Sequence, residues 1–276
     1  MARKEKKATT GEMSFLEHLE ELRWHIIRSA IAIIVLAVVA FVCKEIVFDE
    51  IIIKPSRPEF WTNRMFAKLA ELTGANALSI NSKPLQLIGI NMSDQFSAHL
   101  WVSIIAGFII SFPYIMFEVW RFISPALYEN ERKYSTGAVF YISLLFMLGV
   151  LFGYYIIAPL TIDFLGGWQV SAEVTNQITI ISYMTTVATV ALSGGIVFEL
   201  PILIYFLSKV GILDAHTLKY YRRHAYVGLL VLATIITPPD VFSQIMVCIP
   251  LVLLYEVGIF IARRVERDNA RAEAED

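Results

Sequence analysis

Ala30-Ile31-Ala32-Ile33-Ile34-Val35-Leu36-Ala37-Val38-Val39-Ala40-Phe41-Val42 contains no charged residue, and neither does the longer run Ile142–Pro159. A helix crossing a bilayer needs about 20 mainly apolar residues. Extended through their flanks, both runs reach that length. The whole chain has the same bias. Apolar residues make up 57% of it, charged residues 17%, and mean hydropathy is +0.61, whereas soluble domains carry roughly 45–50% apolar and 25% charged residues. The sequence therefore predicts an all-α integral membrane protein with one membrane domain and short connections.

Working outward from these runs, spans are expected at about 24–43, 96–119, 134–160, 178–208, 223–237 and 241–262. The fifth has its clean core at Ala225–Ile236 and is shorter than a bilayer is thick. It calls for local thinning or for flanking residues that snorkel, here Arg222, Arg223 and His224. Pro201 in the fourth span and Pro250 in the sixth predict kinks whose freed carbonyls find other partners. Lys and Arg set the orientation. One side carries Arg3, Lys4, Lys6, Lys7, Arg23, Arg121, Arg132, Lys133, Lys209, Lys219, Arg222, Arg223, Arg263, Arg264, Arg267 and Arg271. The opposite side has two short loops, near 161–177 and 237–240, without Lys or Arg. Six crossings with both termini inside satisfy this pattern. The long outer loop, about 44–95, balances its basic residues with Glu45, Asp49, Glu50 and Glu59. Within it, Phe60–Thr73 reads as a short helix ending at Gly74, and Leu85–Met92 as a surface segment. The chain divides into a basic tail 1–13, the membrane domain 14–262 and a charged tail 263–276, of which the acidic end Arg271–Asp276 reads as disordered.

A net charge of −2 argues against nucleic acid as a partner. Cys43 and Cys248 lack disulfide or zinc spacing and read as small buried hydrophobes. The basic start is separated from the first apolar run by Glu17-His18-Leu19-Glu20-Glu21, so no cleavable signal peptide is expected. No phosphate loop, HExxH or GxSxG is present, and the five histidines show no ligand spacing. No enzyme, metal or cofactor is expected.

Several acids stand out. Ser14-Phe15-Leu16-Glu17 fits a capping box, and Phe15, Leu19, Leu22 and Ile26 share a helix face, as in a helix lying on the bilayer before entering it. The glutamates there either solvate that helix or serve as ligands against the positive-inside trend. The connection Phe117–Arg132 frames Glu118, Glu129 and Glu131 with aromatic residues. Carboxylates beside aromatic faces suit guanidinium groups, which pair bidentately and stack; an aromatic belt with incidental charges is the competing reading. Glu199 lies ten residues before Lys209, about 15 Å below that end. An acid at such depth costs about 2.5–3.5 kcal/mol on insertion scales and is a functional candidate, with a neutral, hydrogen-bonded acid as the alternative. Gly149-x-x-x-Gly153 predicts close helix packing. Asp240, in the turn Thr237–Gln244, either caps the following helix or acts in function.

His18-Leu19-Glu20-Glu21-Leu22-Arg23, Trp120-x-Phe122-Ile123-x-Pro125-Ala126-Leu127-Tyr128-x-x-Glu131-Arg132, Phe198-Glu199-Leu200-Pro201 and Thr237-Pro238-Pro239-Asp240-Val241-Phe242-Ser243-Gln244 together resemble the TatC family, the polytopic receptor subunits of the twin-arginine protein translocase. The four motifs run the whole chain in order. The resemblance implies a glove-like, concave six-helix bundle, multi-pass in a bacterial cytoplasmic (inner) membrane. It implies a non-enzymatic receptor for twin-arginine signal peptides that exports folded proteins on the proton gradient, with TatA-type and TatB-type single-span partners and self-association in the complex. By position, Glu21 and Glu131 match the acids that recognise the arginines, Phe122 and Leu127 shape the same surface, and Arg23 matches a sensitive position. Pro55 matches a proline of the first outer loop, Glu199 an intramembrane polar residue facing the concave side, and Asp240 and Gln244 the outer turn and the start of the sixth helix. A basic extension before Met13 and a longer first outer loop depart from the pattern. A second hypothesis is an ion-coupled small-molecule secondary transporter with Glu199 as its proton site, although no repeated halves are evident.

Overall fold

The structure is a computed structural model that describes residues 15–74, 80–81, 85–123, 135–171, 173, 176–236 and 241–275. Helix α1, Phe15–Val42, is unbroken. No Gly or Pro lies between those residues to interrupt its hydrogen-bond ladder, so the expected surface helix and first span form one rod of about 42 Å. Ser14 of the expected capping box lies outside the described residues. A π-helical stretch Glu45–Ile52 and a 3₁₀ turn Lys54–Ser56 lead to α2, Trp61–Thr73, which ends at Gly74 with φ 68°, a left-handed position that suits glycine. The short strand β1, Leu87–Ile88, pairs in parallel with β2, Ile178–Thr179, in the register Leu87↔Ile178 and Ile88↔Thr179. Among the described residues this pair is the small exception to an otherwise helical fold, and it takes up part of the expected surface segment Leu85–Met92.

Helix α3, Asp94–Ile123, is the second long crossing. The third is composite: α4, Ser135–Phe152, a π-helical turn Gly153–Ile157, and α5, Ala158–Gly167. Pro159 has no N–H to give to the carbonyl of Tyr155 four residues back; the Thr62 hydroxyl of α2 donates to that oxygen instead. The fourth crossing is also broken. Helix α6, Ile180–Phe198, starts at Thr179, whose hydroxyl accepts from Ser182 N at 3.3 Å, and α7, Leu200–Lys209, follows after a turn at Glu199. Pro201, lacking a donor, stands in the first turn of α7. Asp214 Oδ1 accepts from Thr217 N at 2.9 Å and caps α8, Ala215–Tyr220, which holds its carboxyl below the ordinary range.

Helix α9, Arg222–Ile236, has 15 residues, about 22 Å at 1.5 Å each. Among the described residues, five segments, α9 not one of them, are long and apolar enough to cross a membrane: Leu19–Val42, Asp94–Ile123, Gly137–Gly167, Ile180–Lys209 and Gln244–Asn269. The last belongs to α10, Val241–Glu275. That helix continues to Glu275, into the tail expected to be disordered, because Ala, Glu and Arg are strong helix formers. Pro250 sits inside it without ending it.

Helix α1 packs on α3, α3 and α4 both pack on α6, and α7 packs on α10. The common core joins Val102 of α3, Val187 of α6, and Val247 and Tyr255 of α10. Small residues set the closest crossings. A Cβ built on Gly194 would stand 2.5 Å from Gly149 O, and one on Gly153 2.7 Å from Val190 O, so α4 and α6 touch backbone to backbone. Cys248 is half-buried, but Cys43 is exposed: it follows the last turn of α1, on a helix that touches little besides α3.

Candidate functional site

Helix α1 begins and α3 ends at the same extremity of their shared interface, because they run antiparallel past each other. Along α1, Glu21, His25 and Arg28 fall at i, i+4 and i+7 and so share a face; along α3, Tyr114, Glu118 and Phe122 fall at i, i+4 and i+8 and share one as well. The two stripes meet. Glu118 is only 2% exposed. Its Oε2 accepts from His25 Nδ1 and lies 3.8 Å from Arg28 Nη1, and Tyr114, one turn earlier, interacts with the same carboxylate. The His25 ring sits edge-on to Phe122 with centroids 5.9 Å apart. Glu21 and Arg23 are exposed one turn or less beyond His25. Three expected ligands, Glu21, Arg23 and Phe122, therefore occupy one end of the α1–α3 pair; Leu127 and Glu131 lie outside the described residues. The sequence grouped Glu118 with Glu129 and Glu131 as candidate ligands. It is instead a buried acid already engaged by His25 and Arg28 of α1.

Glu199 is half-buried in the break between α6 and α7, and its Oε1 is buried with no hydrogen-bond partner among the described residues. The turn that holds it lies one residue before α7 and five residues after Gly194, where α6 meets α4. On α3, Trp120 packs its ring 5.5 Å from Phe206 of α7, and its Nε1 is likewise buried without a partner.

Pro55 is buried, and its carbonyl accepts from Asn63 Nδ2 at 3.1 Å. The same amide donates to Arg57 O at 2.8 Å, and Asn81 Nδ2 donates to Pro159 O at 2.9 Å. Pro55 thus belongs to a buried polar network that ties the segment between α1 and α3 to α5. At the α9–α10 hairpin, Gln244 Nε2 donates to Thr234 Oγ1 at 2.6 Å and joins the two helices; Asp240 lies outside the described residues. Near the other end of that hairpin, Glu256 of α10 accepts from Arg222 Nε at 2.6 Å and from the Tyr226 hydroxyl. No cluster of metal-ligating side chains occurs among the described residues.

The family model for TatC, described as Sec-independent protein translocase protein, matches residues 17–250. The chain belongs to the TatC family. Among its relatives, the TatC protein of Blattabacterium sp. subsp. Periplaneta americana (strain BPLAN) is 41% identical over 95% of this chain and 99% of its own length. TatCy of Bacillus subtilis (strain 168) is 31% identical, covering 96% of this chain and 95% of its own. The fold agrees as well. A crystal structure of the twin-arginine translocase receptor TatC in DDM superposes with a TM-score of 0.69 at 33% identity, covering 89% of this chain and 99% of that one. A second crystal structure of that receptor gives 0.64 at 31% identity, covering 91% and 100%. The matched span contains every TatC motif read from the sequence, from Glu21 to Gln244. The chain is thus a membrane-embedded component of a Sec-independent protein translocase, with at least five apolar helices of spanning length.

Proposed function

We propose that this chain is the receptor and core subunit of a twin-arginine translocase in a bacterial cytoplasmic membrane. Six helices cross, with α9 as the short fifth crossing and both termini inside, and the bundle is concave like a glove. Glu21 and Glu131 bind the paired arginines of the signal peptide, and Arg23, Phe122 and Leu127 complete that surface. Glu199, Asp240, Gln244 and Pro55 serve the concave face and the outer rim, where the hydrophobic part of the signal or single-span TatA-type and TatB-type partners dock. Folded cargo moves on the proton gradient, and the subunit itself performs no covalent chemistry.

One observation carries this reading. Within a family-wide match, an exposed carboxylate, Glu21, lies one turn before His25, whose ring packs edge-on against Phe122, at the end of the bundle rich in Lys and Arg. A carboxylate and an aromatic face are what a guanidinium pair needs. The test is binding of a synthetic twin-arginine peptide to the detergent-solubilised full chain. Glu21→Ala and Glu131→Ala each weaken binding, and the double variant abolishes discrimination against a peptide in which both arginines are lysines. Wild-type affinity in the double variant overturns the assignment.

The broken fourth crossing gives some support to a second reading, an ion-coupled transporter, because discontinuous helices line transporter sites. Substrate-dependent proton uptake into vesicles containing only this chain would establish it.

A further inference from the structure

Helix α1 is held to the rest of the molecule by very little. Only 6% of its apolar window is buried, and its partner is α3. Three specific contacts fix how the two helices lie against each other. At one end the Phe41 and His99 rings stack with centroids 3.8 Å apart, and His99 Nε2 lies 3.0 Å from Phe41 O. In the middle, Gly107 lets the backbone of Ala37 approach so closely that a Cβ there would stand 2.5 Å from Ala37 N. At the other end Glu118 is clasped by His25 and Arg28. Of the three, this last contact adjoins the proposed peptide site.

The geometry points to His25 and Glu118 as a positioning pair for signal-peptide recognition: by locking the end of α1 onto α3, they present Glu21 and Phe122 as one surface. This inference rests on the peptide-binding reading above. The stripes explain how the pair acts. Glu21 is one turn before His25 and Phe122 one turn after Glu118, so on antiparallel helices both lie about 5.4 Å beyond the pair, on the same side of it. Shifting the register of α1 by one residue, so that a neighbour of His25 met Glu118, would rotate the helix by about 100° and take Glu21 off the face shared with Phe122. His25 also touches Phe122 directly and fixes that ring.

The charges favour the same role. An arginine-bearing peptide approaches an end that already carries Arg23, Arg28 and Arg121. Glu118 faces His25, Arg28 and Tyr114, with Arg121 nearby. Its carboxylate offsets the positive charge one turn below the site. Because Glu118 is buried and engaged, it does not compete with Glu21 for the peptide.

The experiment measures affinities of one twin-arginine peptide and its twin-lysine counterpart for the full chain in detergent. His25→Ala, Glu118→Ala, their double variant, Glu118→Gln and Glu21→Ala are compared, each with its thermal midpoint. His25→Ala lowers affinity for the arginine peptide about tenfold, in the range seen for coupled neighbours, and shrinks the arginine-to-lysine ratio. Glu118→Ala does the same, and the double variant is no worse than either single one. Glu118→Gln keeps most of the ratio, because its side-chain carbonyl still accepts from His25 Nδ1. Should Glu118→Ala fail to fold, His25→Ala and Glu118→Gln still decide the matter. A lowered thermal midpoint with an unchanged ratio in His25→Ala assigns the pair a purely structural role and overturns the inference. If Glu21→Ala also leaves the ratio intact, the peptide-binding reading itself fails. If Glu21→Ala loses the ratio while His25→Ala keeps it, only the positioning role fails.

Discussion

Glu118 and Glu199 are both acids set in apolar helices, and their surroundings are opposite. Glu118 sits near the end of α3, 2% exposed, with His25 and Arg28 of a second helix on its carboxylate. Glu199 sits in the middle of a crossing, at a break in the backbone, with Oε1 buried and unpartnered among the described residues. An acid that is already paired stabilises the arrangement around it. One that is buried without a partner costs stability and persists for another reason, which in a membrane is ordinarily function. The helices differ in the same sense. The windows of α1 and of the α6–α7 crossing are both strongly apolar, yet 6% of the first is buried and 44% of the second. Hydropathy places a helix in the membrane; small residues decide whether it faces protein or lipid.

The largest effect comes from filling the tight crossing in the region of Glu199. Gly194→Val would drive a side chain against the backbone of Gly149 and Gly153, where no rotamer change gives relief. Overpacking of this kind costs about 3 kcal/mol or more, and the variant should yield little folded protein in detergent. Gly107→Val meets the backbone of Ala37 as closely, but α1 is free to move outward into lipid. Its thermal midpoint should fall less. Equal losses at the two glycines would erase the distinction between a buried crossing and a peripheral one.

Next in size is Glu118→Ala. It strips His25 and Arg28 of their partner and should cost about 2 kcal/mol, in the range for hydrogen bonds to charged groups. Glu118→Gln keeps an acceptor for His25 and should cost less than half of that. Smaller again is Gln244→Leu, which removes the bond to Thr234 between α9 and α10. Interhelical hydrogen bonds in membranes average about 0.6 kcal/mol, so the thermal midpoint should move by a degree or two at most. A large drop would mean that the α9–α10 hairpin depends on this single contact.

The sequence showed these regions unequally. The uncharged runs located the five long crossings, because a helix must satisfy its own backbone in lipid and needs a fixed apolar length to do so. The short α9 was visible for the same reason, and Gly74 marked the end of α2. Pro201 signalled trouble near Glu199, since a missing N–H breaks the ladder whatever the neighbours are. The partners of the freed groups were not visible. Thr62 reaches the Tyr155 carbonyl from a residue 93 positions away, and His25 reaches Glu118 across the same separation. Each contact depends on how two helices register, which periodicity within one helix does not state. Glu118 was noticed as an acid beside aromatic residues, but only the register of α1 against α3 shows that it is occupied. The extension of α10 to Glu275 is not what the acidic tail suggests, since its charge points to disorder, whereas Ala, Glu and Arg favour helix.

The smallest change in stability belongs to Glu199, and it sharpens the contrast most. Glu199→Leu removes a half-buried acid whose Oε1 is buried with no hydrogen bond among the described residues. Little is lost beyond the carboxyl's contact with the Phe146 backbone, so folding and insertion should change far less than in Glu118→Ala. Leucine also suits the depth of the site, about 15 Å from Lys209 along the helix. Export of a twin-arginine precursor should nevertheless fall sharply in Glu199→Leu and Glu199→Ala, while Glu199→Gln, which keeps a polar group in the break, should retain more. The two measurements separate the roles: thermal midpoint reads what the residue does for the fold, and export reads what the fold holds it for. Wild-type export in Glu199→Ala would make this acid a packing element, and a loss of stability like that of Glu118→Ala would mean that its contact with the Phe146 backbone holds the break together.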